Sequence, residues 1–324
     1  MTLVMRIRHP GRPEAIEAAE IVLPEPGPGE IRIRQSAVGV NFVDIYQRSG
    51  LYALPALPGV LGVEGAGTIE AVGAGVEGLR AGMRIAYAGA PVGAYAEARI
   101  LPAWRAVALP DSVPDDIAAV ALARGITAEM LMGRVYSVGQ GATVLIHAAA
   151  GGLGSLLVAW AKRRGATVIG SVSTAEKAEI ARAAGADHVV VGRDTDFVTA
   201  VKGWTGGRGV DFAVDGIGGT TLLKTMACVR PFGTVASIGQ AGGPIPPIPV
   251  EEIGPRRSLN FARPSVMLYM NDRENYRRGA AAVIESLGAG LLPKLGARYA
   301  LRDAAQAQAD LEAGRTTGAP LLIP

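Results

Sequence analysis

The segment Thr143–Gly154, reading TVLIHAAAGGLG, limits the possible folds of this chain more than any other stretch. Its apolar part, Val144–Ile146, has the composition of a buried parallel strand, and small residues then lead into a helix-forming run from Leu153. The first N–H groups of a helix lack partners within the helix, and the helix dipole adds partial positive charge, so a pyrophosphate binds there without a cationic side chain. The segment therefore predicts a phosphate-binding turn between a strand and a helix.

The small residues of this turn match the dinucleotide fingerprint G-x-G-x-x-G, with Ala149 in the first position, Gly151 in the second and Gly154 in the third. Alanine in the first position departs from the pattern. The context supports the match, because the helix ends in three basic residues before Gly165 and a second apolar run follows at once. Strand, turn, helix and strand fit in the ~30 residues typical of one such unit.

Strand and helix signals continue to alternate after this unit, which predicts a doubly wound parallel (Rossmann) sheet in an α/β protein. Before residue 109 the chain shows short β runs separated by Gly and Pro, which predict a small antiparallel barrel interrupted by a short helix over Asn41–Gly50. We assign the glycines of residues 61–82 to turns and bulges. A helix over Pro114–Gly133 is expected to connect the two parts, and the elements after residue 265 are expected to return to the first part.

The composition excludes several classes of protein. Hydrophobic residues make up 49% of the 324 residues and charged residues 19%, which excludes a disordered chain, and no apolar run reaches the ~18 residues of a membrane span. The first residues lack the apolar core of a signal peptide, and the single cysteine, Cys228, cannot form an internal disulfide, so we expect a cytoplasmic protein. Lys and Arg are scattered, without a basic block, so we expect neither a nucleic-acid partner nor a membrane partner.

The end of the second strand of the unit indicates which cofactor is preferred. NAD-binding units usually place Asp or Glu about 20 residues past the glycines, whereas this chain reads SVSTAEK from Ser171 to Lys177. Ser173 and Lys177, with Arg193 beyond the third strand, are suited to bind a 2′-phosphate. Alternatively, Ser173 and Glu176 form a capping box and Lys177 is a solvated helix residue. The missing acid favours NADPH.

No group of side chains has the spacing of a metal site. One cysteine and three histidines are too dispersed to bind zinc, and we interpret His147 as a hydrogen-bonded structural residue. Catalysis must then depend on the cofactor. Reducing a quinone or an enone needs hydride and hydrogen-bond donors near the developing oxyanion. Asn41, Tyr46 and Tyr52 are neutral donors suited to that role, while each tyrosine also fits a packed position with a solvated hydroxyl.

Four segments together resemble a known family: HAAAGGLG at 147–154, GVNFVDIYQRSGLY at 39–52, KAEIARAAGADHVV at 177–190 and FARPS at 261–265. They resemble the zinc-free quinone oxidoreductases of the medium-chain dehydrogenase/reductase superfamily, which are related to zeta-crystallin. The likeness extends nearly from end to end. It implies a GroES-like β-barrel catalytic domain formed by residues 1–120 and 265–324 around a Rossmann NADP-binding domain of residues 121–264, usually in a homodimer.

The resemblance also implies roles for single residues. It places Asn41, Tyr46 and Tyr52 in the substrate and nicotinamide cleft. It implies three groups of cofactor contacts: Gly151, Gly152 and Leu153 at the pyrophosphate; Ser173 and Lys177 at the 2′-phosphate; and Thr127, Gly239, Arg263 and Arg315 elsewhere along the cofactor. In zinc-dependent relatives, cysteine and histidine ligands stand where this chain has Asn41 and Val63.

Two departures from the family pattern concern specificity. Gly192 replaces a tyrosine that often follows the third strand, which leaves Arg193 to supply charge at the 2′-phosphate. An aromatic residue often found near Glu129 and Met130 is absent, which implies a wider pocket.

Three functions compete at this point. The leading hypothesis is an NADPH-dependent reductase of quinones. The alternatives are a reductase of the C=C bond of enones or enoyl thioesters, and a cofactor-binding or RNA-associated protein without enzymatic activity.

For assembly, we expect the last sheet strand, Ser258–Phe261, to pair with its copy across a two-fold axis, with Leu259 and Phe261 contributing apolar contacts. In the alternative, residues 242–255 cover this edge and the protein is a monomer.

Overall fold

The computed structural model describes residues 1–324, which divide into two compact units. Unit 1 comprises Met1–Ile126 and Met267–Pro324, and unit 2 comprises Thr127–Val266. The strands are β1 (Thr2–Ile7), β2 (Ile16–Ile21), β3 (Glu30–Gly39), β4 (Gly59–Val60), β5 (Glu64–Val72), β6 (Arg84–Ala88), β7 (Ala98–Pro102), β8 (Val107–Ala108), β9 (Thr143–His147), β10 (Thr167–Val172), β11 (His188–Val191), β12 (Val210–Asp215), β13 (Val229–Ser237), β14 (Asn260–Ala262), β15 (Leu295–Ala300) and β16 (Ala319–Ile323). The helices are α1 (Phe42–Ser49), α2 (Asp115–Glu129), α3 (Gly152–Arg163), α4 (Ala175–Ala183), α5 (Phe197–Trp204), α6 (Thr221–Cys228), α7 (Val250–Ile253), α8 (Val266–Asn271), α9 (Arg273–Gly288) and α10 (Ala304–Glu312).

Unit 1 is built on two β-sheets. A seven-stranded sheet has the order β15-β16-β3-β5-β6-β8, with β7 also paired to β3, and a three-stranded sheet has the order β2-β1-β4. The alternation in β3 explains its place at the centre: Ile31 and Ile33 are fully buried in the core, whereas Arg32 and Arg34 pair with Glu70. The final strand, β16, pairs antiparallel with β3. The last strand of the chain therefore lies in the same sheet as strands from the N-terminal part of unit 1.

Unit 2 is a six-stranded parallel sheet with the order β11-β10-β9-β12-β13-β14, and the strands alternate with helices. Its central strands are buried on both faces, as expected of parallel strands that helices cover: Val144, Leu145 and Ile146 of β9 are completely buried, and every residue of β12, including Asp211 and Asp215, is buried as well. The predicted Rossmann architecture is confirmed. No helix in the chain has the length and apolar character needed to cross a membrane.

Several element boundaries differ from the sequence predictions. The helix predicted over 114–133 is α2, and a π-helical stretch, Met130–Val135, follows it. The glycines of residues 61–82 lie partly in turns and partly in β5, whose pairing with β3 is shifted by a bulge next to Gly67, in line with the predicted turns and bulges. Gly62 has a positive φ of 96°, whereas Gly67 lies within β5, where a Cβ atom would be 2.0 Å from the carbonyl oxygen of Arg34 on β3. That glycine allows the two strands to pair closely.

The last strand of the parallel sheet also begins later than predicted. β14 starts at Asn260, and Ser258 has a φ of 52°, outside the extended region that a strand requires. The Leu259 N–H donates to the carbonyl oxygen of Ile253 (2.8 Å), and the Leu259 side chain is buried in the core of unit 2. The prediction that Leu259 contributes to an exposed strand edge is therefore wrong.

Candidate functional site

The predicted phosphate turn follows directly from the central strand of unit 2. β9 ends at His147, Ala148 takes a positive φ of 51°, and Gly151 is the N-cap of α3. The turn is closed by hydrogen bonds from the Gly151 N–H to the Ala148 carbonyl (2.8 Å) and from the Ala149 N–H to the Ser171 carbonyl on β10 (3.1 Å). The backbone of the turn is thus fixed from both sides.

Glycine is required at position 154 by close packing. A Cβ atom there would lie 2.1 Å from the Ala148 carbonyl oxygen, so any side chain would push α3 away from the turn. The alanine in the first fingerprint position is accommodated differently. Ala149 is fully buried, and a Cβ atom at Gly170 on β10 would be 2.8 Å from the Ala149 methyl group. The glycine at position 170 on β10 therefore makes room for the Ala149 methyl group, so position 149 itself does not have to be glycine.

The start of α3 has the features of an anion-binding site. No side chain caps this helix and its first turn contains no acidic residue, so the N–H groups of Gly152, Leu153 and Gly154 are directed outward without an acceptor from within the helix. Gly152 and Leu153 are only half-buried. These N–H groups and the helix dipole suit a pyrophosphate.

Cationic side chains converge beyond the end of β10. The structure excludes Ser173 as the cap of α4, because Thr174 is the N-cap and its hydroxyl accepts the Lys177 N–H (3.3 Å). Burial, followed by the nearby Arg193 guanidinium, lowers the pKa of the Lys177 ammonium group. Lys177 and Arg193 are therefore close enough to repel each other. A phosphate dianion would relieve this repulsion, which fits the predicted 2′-phosphate site.

The structure also explains the glycine at 192. Gly192 has a φ of 106°, a left-handed conformation that disfavours other residues, and its N–H donates to the Val172 carbonyl (2.9 Å). A Cβ atom at this position would lie 2.6 Å from the Thr195 hydroxyl oxygen. A tyrosine would be strained at position 192. The neighbouring Arg193 is therefore the residue that can provide a contact to the phosphate from this turn.

In unit 1, Asn41 stands at the N-terminus of α1. Its N–H donates to Asp44 Oδ2 (2.8 Å), and its side-chain Nδ2 donates to Glu64 Oε1 (2.8 Å). Glu64 is completely buried and also accepts bonds from Arg124 Nη1 (2.6 Å) and the Ala123 N–H (2.9 Å). Burial raises the pKa of Glu64, and Arg124 opposes this rise most strongly. The Asn41 amide is thus held by a buried ion pair.

Gly39, two residues earlier, makes this arrangement possible. A Cβ atom at Gly39 would be 2.4 Å from Glu64 Oε1 and 2.6 Å from the Ala119 carbonyl oxygen. Sequence reasoning missed Glu64 and Arg124. The available signal was a single acid in the otherwise uncharged segment LGVEGAG.

The two predicted tyrosines are in contact. The Tyr46 and Tyr52 rings are 5.3 Å apart at an interplanar angle of 69°, and the Tyr52 N–H donates to the Tyr46 carbonyl (3.0 Å). Tyr46 is 8% exposed and Tyr52 is 42% exposed, so Tyr52 presents most of the accessible surface of the pair. Asn41, Tyr46 and Tyr52 thus lie on one helix and the turn that follows it.

Four further predicted cofactor residues lie on separate elements. Thr127 is buried in α2, and Gly239 is buried just after β13. Arg263 follows β14 and donates to the Ser237 hydroxyl (2.7 Å). Arg315 in unit 1 is already paired with Asp310 through Nε (2.8 Å) and Nη2 (2.6 Å), so a phosphate would have to compete with this carboxylate. No group of three or more His, Cys, Asp or Glu side chains is arranged to hold a metal ion.

Comparisons with known proteins agree with this architecture. A zinc-binding dehydrogenase family model matches residues 152–290, and an alcohol dehydrogenase GroES-like domain model matches residues 27–111. The 2-haloacrylate reductase of Burkholderia sp is 39% identical over 100% of this chain and 99% of its own length. The quinone oxidoreductase of Pseudomonas aeruginosa is 38% identical over 97% of both proteins. The crystal structure of Escherichia coli quinone oxidoreductase complexed with NADPH superposes with a TM-score of 0.95 at 35% identity, with 100% of both chains covered.

These matches extend over both units and confirm the predicted fold class, a GroES-like domain with a parallel Rossmann sheet. Both curated relatives share well over 30% of their residues with this chain along nearly their whole length. The chain belongs to the quinone oxidoreductase family of the medium-chain dehydrogenase/reductase superfamily.

Proposed function

We propose that this protein is an oxidoreductase that transfers reducing equivalents from NADPH to quinones without a metal ion. The observation that carries the proposal is the pair of anion sites in unit 2: the uncapped N-terminus of α3, and the adjacent cations Lys177 and Arg193. Such a pair fits a dinucleotide with an additional phosphate on its ribose. The relatives named as quinone oxidoreductases, one of them complexed with NADPH, support the same reading.

In this proposal Gly151, Gly152 and Leu153 hold the pyrophosphate: the N–H groups of Gly152 and Leu153 donate to it, and Gly151, which has no side chain, lets it approach the backbone. Ser173, Lys177 and Arg193 hold the 2′-phosphate. Thr127, Gly239 and Arg263 make further contacts, and Arg315 does so only if it leaves Asp310. The bound cofactor supplies hydride. The protein supplies binding, orientation and hydrogen-bond donors.

The acceptor is proposed to bind at Asn41, Tyr46 and Tyr52. Flat aromatic rings offer an apolar surface to a planar quinone, and neutral N–H and O–H donors stabilise the oxyanion that develops when hydride arrives. The buried ion pair of Glu64 and Arg124 fixes the Asn41 amide, so this donor needs little reorganisation during the reaction. Tyr52, the more exposed ring, is the first contact for the acceptor.

A second candidate function is reduction of the C=C bond of electron-poor alkenes. It is favoured by the similarity to 2-haloacrylate reductase, which extends over the whole chain. Hydride addition to an activated alkene likewise generates an oxyanion, so the same neutral donors suit both reactions.

The experiment that separates these functions measures NADPH oxidation with a benzoquinone and with 2-chloroacrylate side by side. We expect turnover of the quinone. Activity on the acrylate alone would assign the second function, and absence of turnover with both acceptors would refute the proposal. A matched pair of variants locates the acceptor: Tyr52→Phe retains the ring and should raise KM for the quinone by less than about threefold, whereas Tyr52→Ala should raise it by about tenfold or more.

We further propose a cytoplasmic homodimer. The single cysteine is buried, as expected of a chain that does not use disulfides. β14 pairs only with β13, so one edge of the parallel sheet has unpaired backbone groups. Next to this edge Phe232 is 75% exposed, and its backbone pairs with Ser258. Phe232, rather than the buried Leu259, is the proposed apolar contact.

Light scattering tests this assembly. The unmutated protein should have twice the chain mass of 33.3 kDa at micromolar concentration. Phe232→Asp should shift it to the single-chain mass, and Val22→Asp, a change at another exposed apolar residue, should not. A monomeric unmutated protein would contradict the proposal.

A further inference from the structure

A chain of four polar side chains, three of them buried and Ser171 half-buried, crosses the carboxyl ends of three neighbouring strands in unit 2. His147 Nδ1 is 2.6 Å from the Ser171 hydroxyl, and His147 Nε2 is 2.8 Å from the Thr225 hydroxyl. The Thr225 hydroxyl is in turn 2.6 Å from Asp215 Oδ2. Ser171 lies on β10, His147 on β9 and Asp215 on β12, and these strands are adjacent in the sheet. These four side chains, Ser171, His147, Thr225 and Asp215, form the polar chain.

The direction of each hydrogen bond in the polar chain can be deduced. Asp215 also accepts the N–H groups of Ile217 and Gly218 on Oδ1 (both 2.8 Å), so its carboxylate acts as an acceptor throughout. The single Thr225 proton faces two acceptors, Asp215 Oδ2 at 2.6 Å and the Thr221 carbonyl oxygen at 3.0 Å, and the shorter bond is to Asp215. With its proton used in this way, Thr225 must accept from His147 Nε2–H. The other ring nitrogen, Nδ1, then accepts the Ser171 proton. Burial lowers the pKa of His147, with Asp215 opposing, which agrees with a neutral ring.

The polar chain connects two segments assigned above to the cofactor. At one end, His147 directly precedes the phosphate turn, and the Ser171 carbonyl accepts the Ala149 N–H of that turn. At the other end, Asp215 fixes the turn 216–218 by accepting two of its N–H groups. The carbonyl oxygens of Gly216 and Ile217 in this turn accept the N–H groups of residues 241 and 242 (3.1 and 2.7 Å). A Cβ atom at Gly218 would be 2.7 Å from the Gln240 Cα atom, so this turn packs directly against the segment that contains Gly239.

We propose that the polar chain Ser171–His147–Thr225–Asp215 positions the phosphate turn relative to the 239–242 segment, so that both contact one dinucleotide at the same time. The inference rests on the proposed function, in which the turn binds the pyrophosphate and Gly239 lies toward the nicotinamide. His147 and Thr225 are positioning residues in this scheme and need not touch the cofactor. A dinucleotide that spans both segments depends on their spacing, whereas a ligand confined to the adenosine half does not.

Two ligands and a set of matched variants test this inference. Thr225→Val replaces the hydroxyl with a methyl group of similar size and leaves His147 and Asp215 without their shared partner. We expect it to raise the Kd for NADPH about tenfold and to leave the Kd for 2′,5′-ADP, which carries only the adenosine half, within about twofold. Thr225→Ser keeps a hydroxyl and should restore NADPH affinity to near that of the unmutated protein. Thr205→Val is the matched control, because its hydroxyl bonds to Val201 and Gly209 before the start of β12.

A second variant keeps the test decisive if Thr225→Val does not fold. Ser171→Ala removes only the half-buried donor at the end of the polar chain and should raise the Kd for NADPH about threefold, again without an effect on 2′,5′-ADP. Parallel weakening of both ligands would indicate general loosening and would overturn the inference. Unchanged NADPH affinity in both variants would also overturn it. If the unmutated protein did not bind NADPH, the proposed function would fail first.

Discussion

The buried Asp44 carboxyl group should make the free energy of unfolding fall as pH rises toward 7. Its side chain is completely buried in unit 1, where Oδ2 accepts the Asn41 N–H (2.8 Å) and the Tyr95 hydroxyl (3.1 Å), while Oδ1 has no hydrogen-bond partner. Burial raises its pKa to about 7, against the opposing effect of the Asn41 and Tyr95 donors; the nearby Glu64 adds to the rise. A carboxyl group with an unpartnered buried oxygen is more stable in its neutral form.

The sign of the effect follows from the raised pKa. Between pH 5 and 7 the folded protein keeps the Asp44 proton that the unfolded chain releases, so the free energy of unfolding falls as pH rises. Each pH unit changes it by about 1.4 kcal/mol, which gives up to about 3 kcal/mol over this window. Above pH 7 both states are ionised, so the free energy of unfolding no longer changes with pH through this group and the loss is complete. Below about pH 4 both states are protonated, so the pH dependence ends there with stability at its maximum.

Asp44→Asn tests this reasoning because asparagine has nearly the same shape and no charge. The amide oxygen can replace Oδ2, while the amide nitrogen takes the place of the unpartnered Oδ1 at a pH-independent cost of about 1–3 kcal/mol. We expect the difference in unfolding free energy between variant and unmutated protein to change by about 3 kcal/mol between pH 5 and 8, in favour of the variant at the higher pH. Urea unfolding at four pH values measures it, and Glu20→Gln, at an exposed carboxylate, is the control. Parallel pH curves for Asp44→Asn and the unmutated protein would refute the argument.

Three further predictions concern the cofactor and metal. Lys177→Ala should raise KM for NADPH about tenfold with little change in kcat or in KM for NADH, because the 2′-phosphate is bound alike in ground and transition states; equal use of both cofactors by the unmutated enzyme would contradict this. Gly154→Ala should destabilise the protein by about 1–3 kcal/mol and weaken NADPH binding at least tenfold, whereas Gly203→Ala, with open space around the added methyl group, should do neither. Exhaustive chelation should leave activity and the melting temperature unchanged, and stoichiometric zinc in the purified protein would contradict that expectation.

The features that sequence predicted well are local ones. The strand, turn and helix around 143–154 were recognisable because the periodicity and the small residues lie within one short stretch. The parallel sheet followed from repetition of that pattern. Neighbouring caps are harder to distinguish: Ser173 and Thr174 are both good cap residues, and the structure selects Thr174.

The features that sequence did not predict depend on distant contacts. Glu64 and Arg124 are 60 residues apart, and His147 and Thr225 are 78 residues apart, so no local pattern pairs them. Leu259 was misplaced for a related reason. An apolar residue near a sheet edge fits both an interface and a core, and only packing against residues such as Ile253 and Phe261 decides between them.

The close contact between Ala149 and Gly170 shows that one requirement is shared by two positions. The first fingerprint position and its partner on β10 together have room for a single methyl group, and this chain places it in the turn rather than on the strand. A glycine at 149 would permit an alanine at 170, while alanine at both positions would force the strand and the turn apart. The space that this nucleotide-binding turn needs therefore depends on both positions, 149 in the turn and 170 on β10. A sequence motif restricted to the turn includes only the first of them.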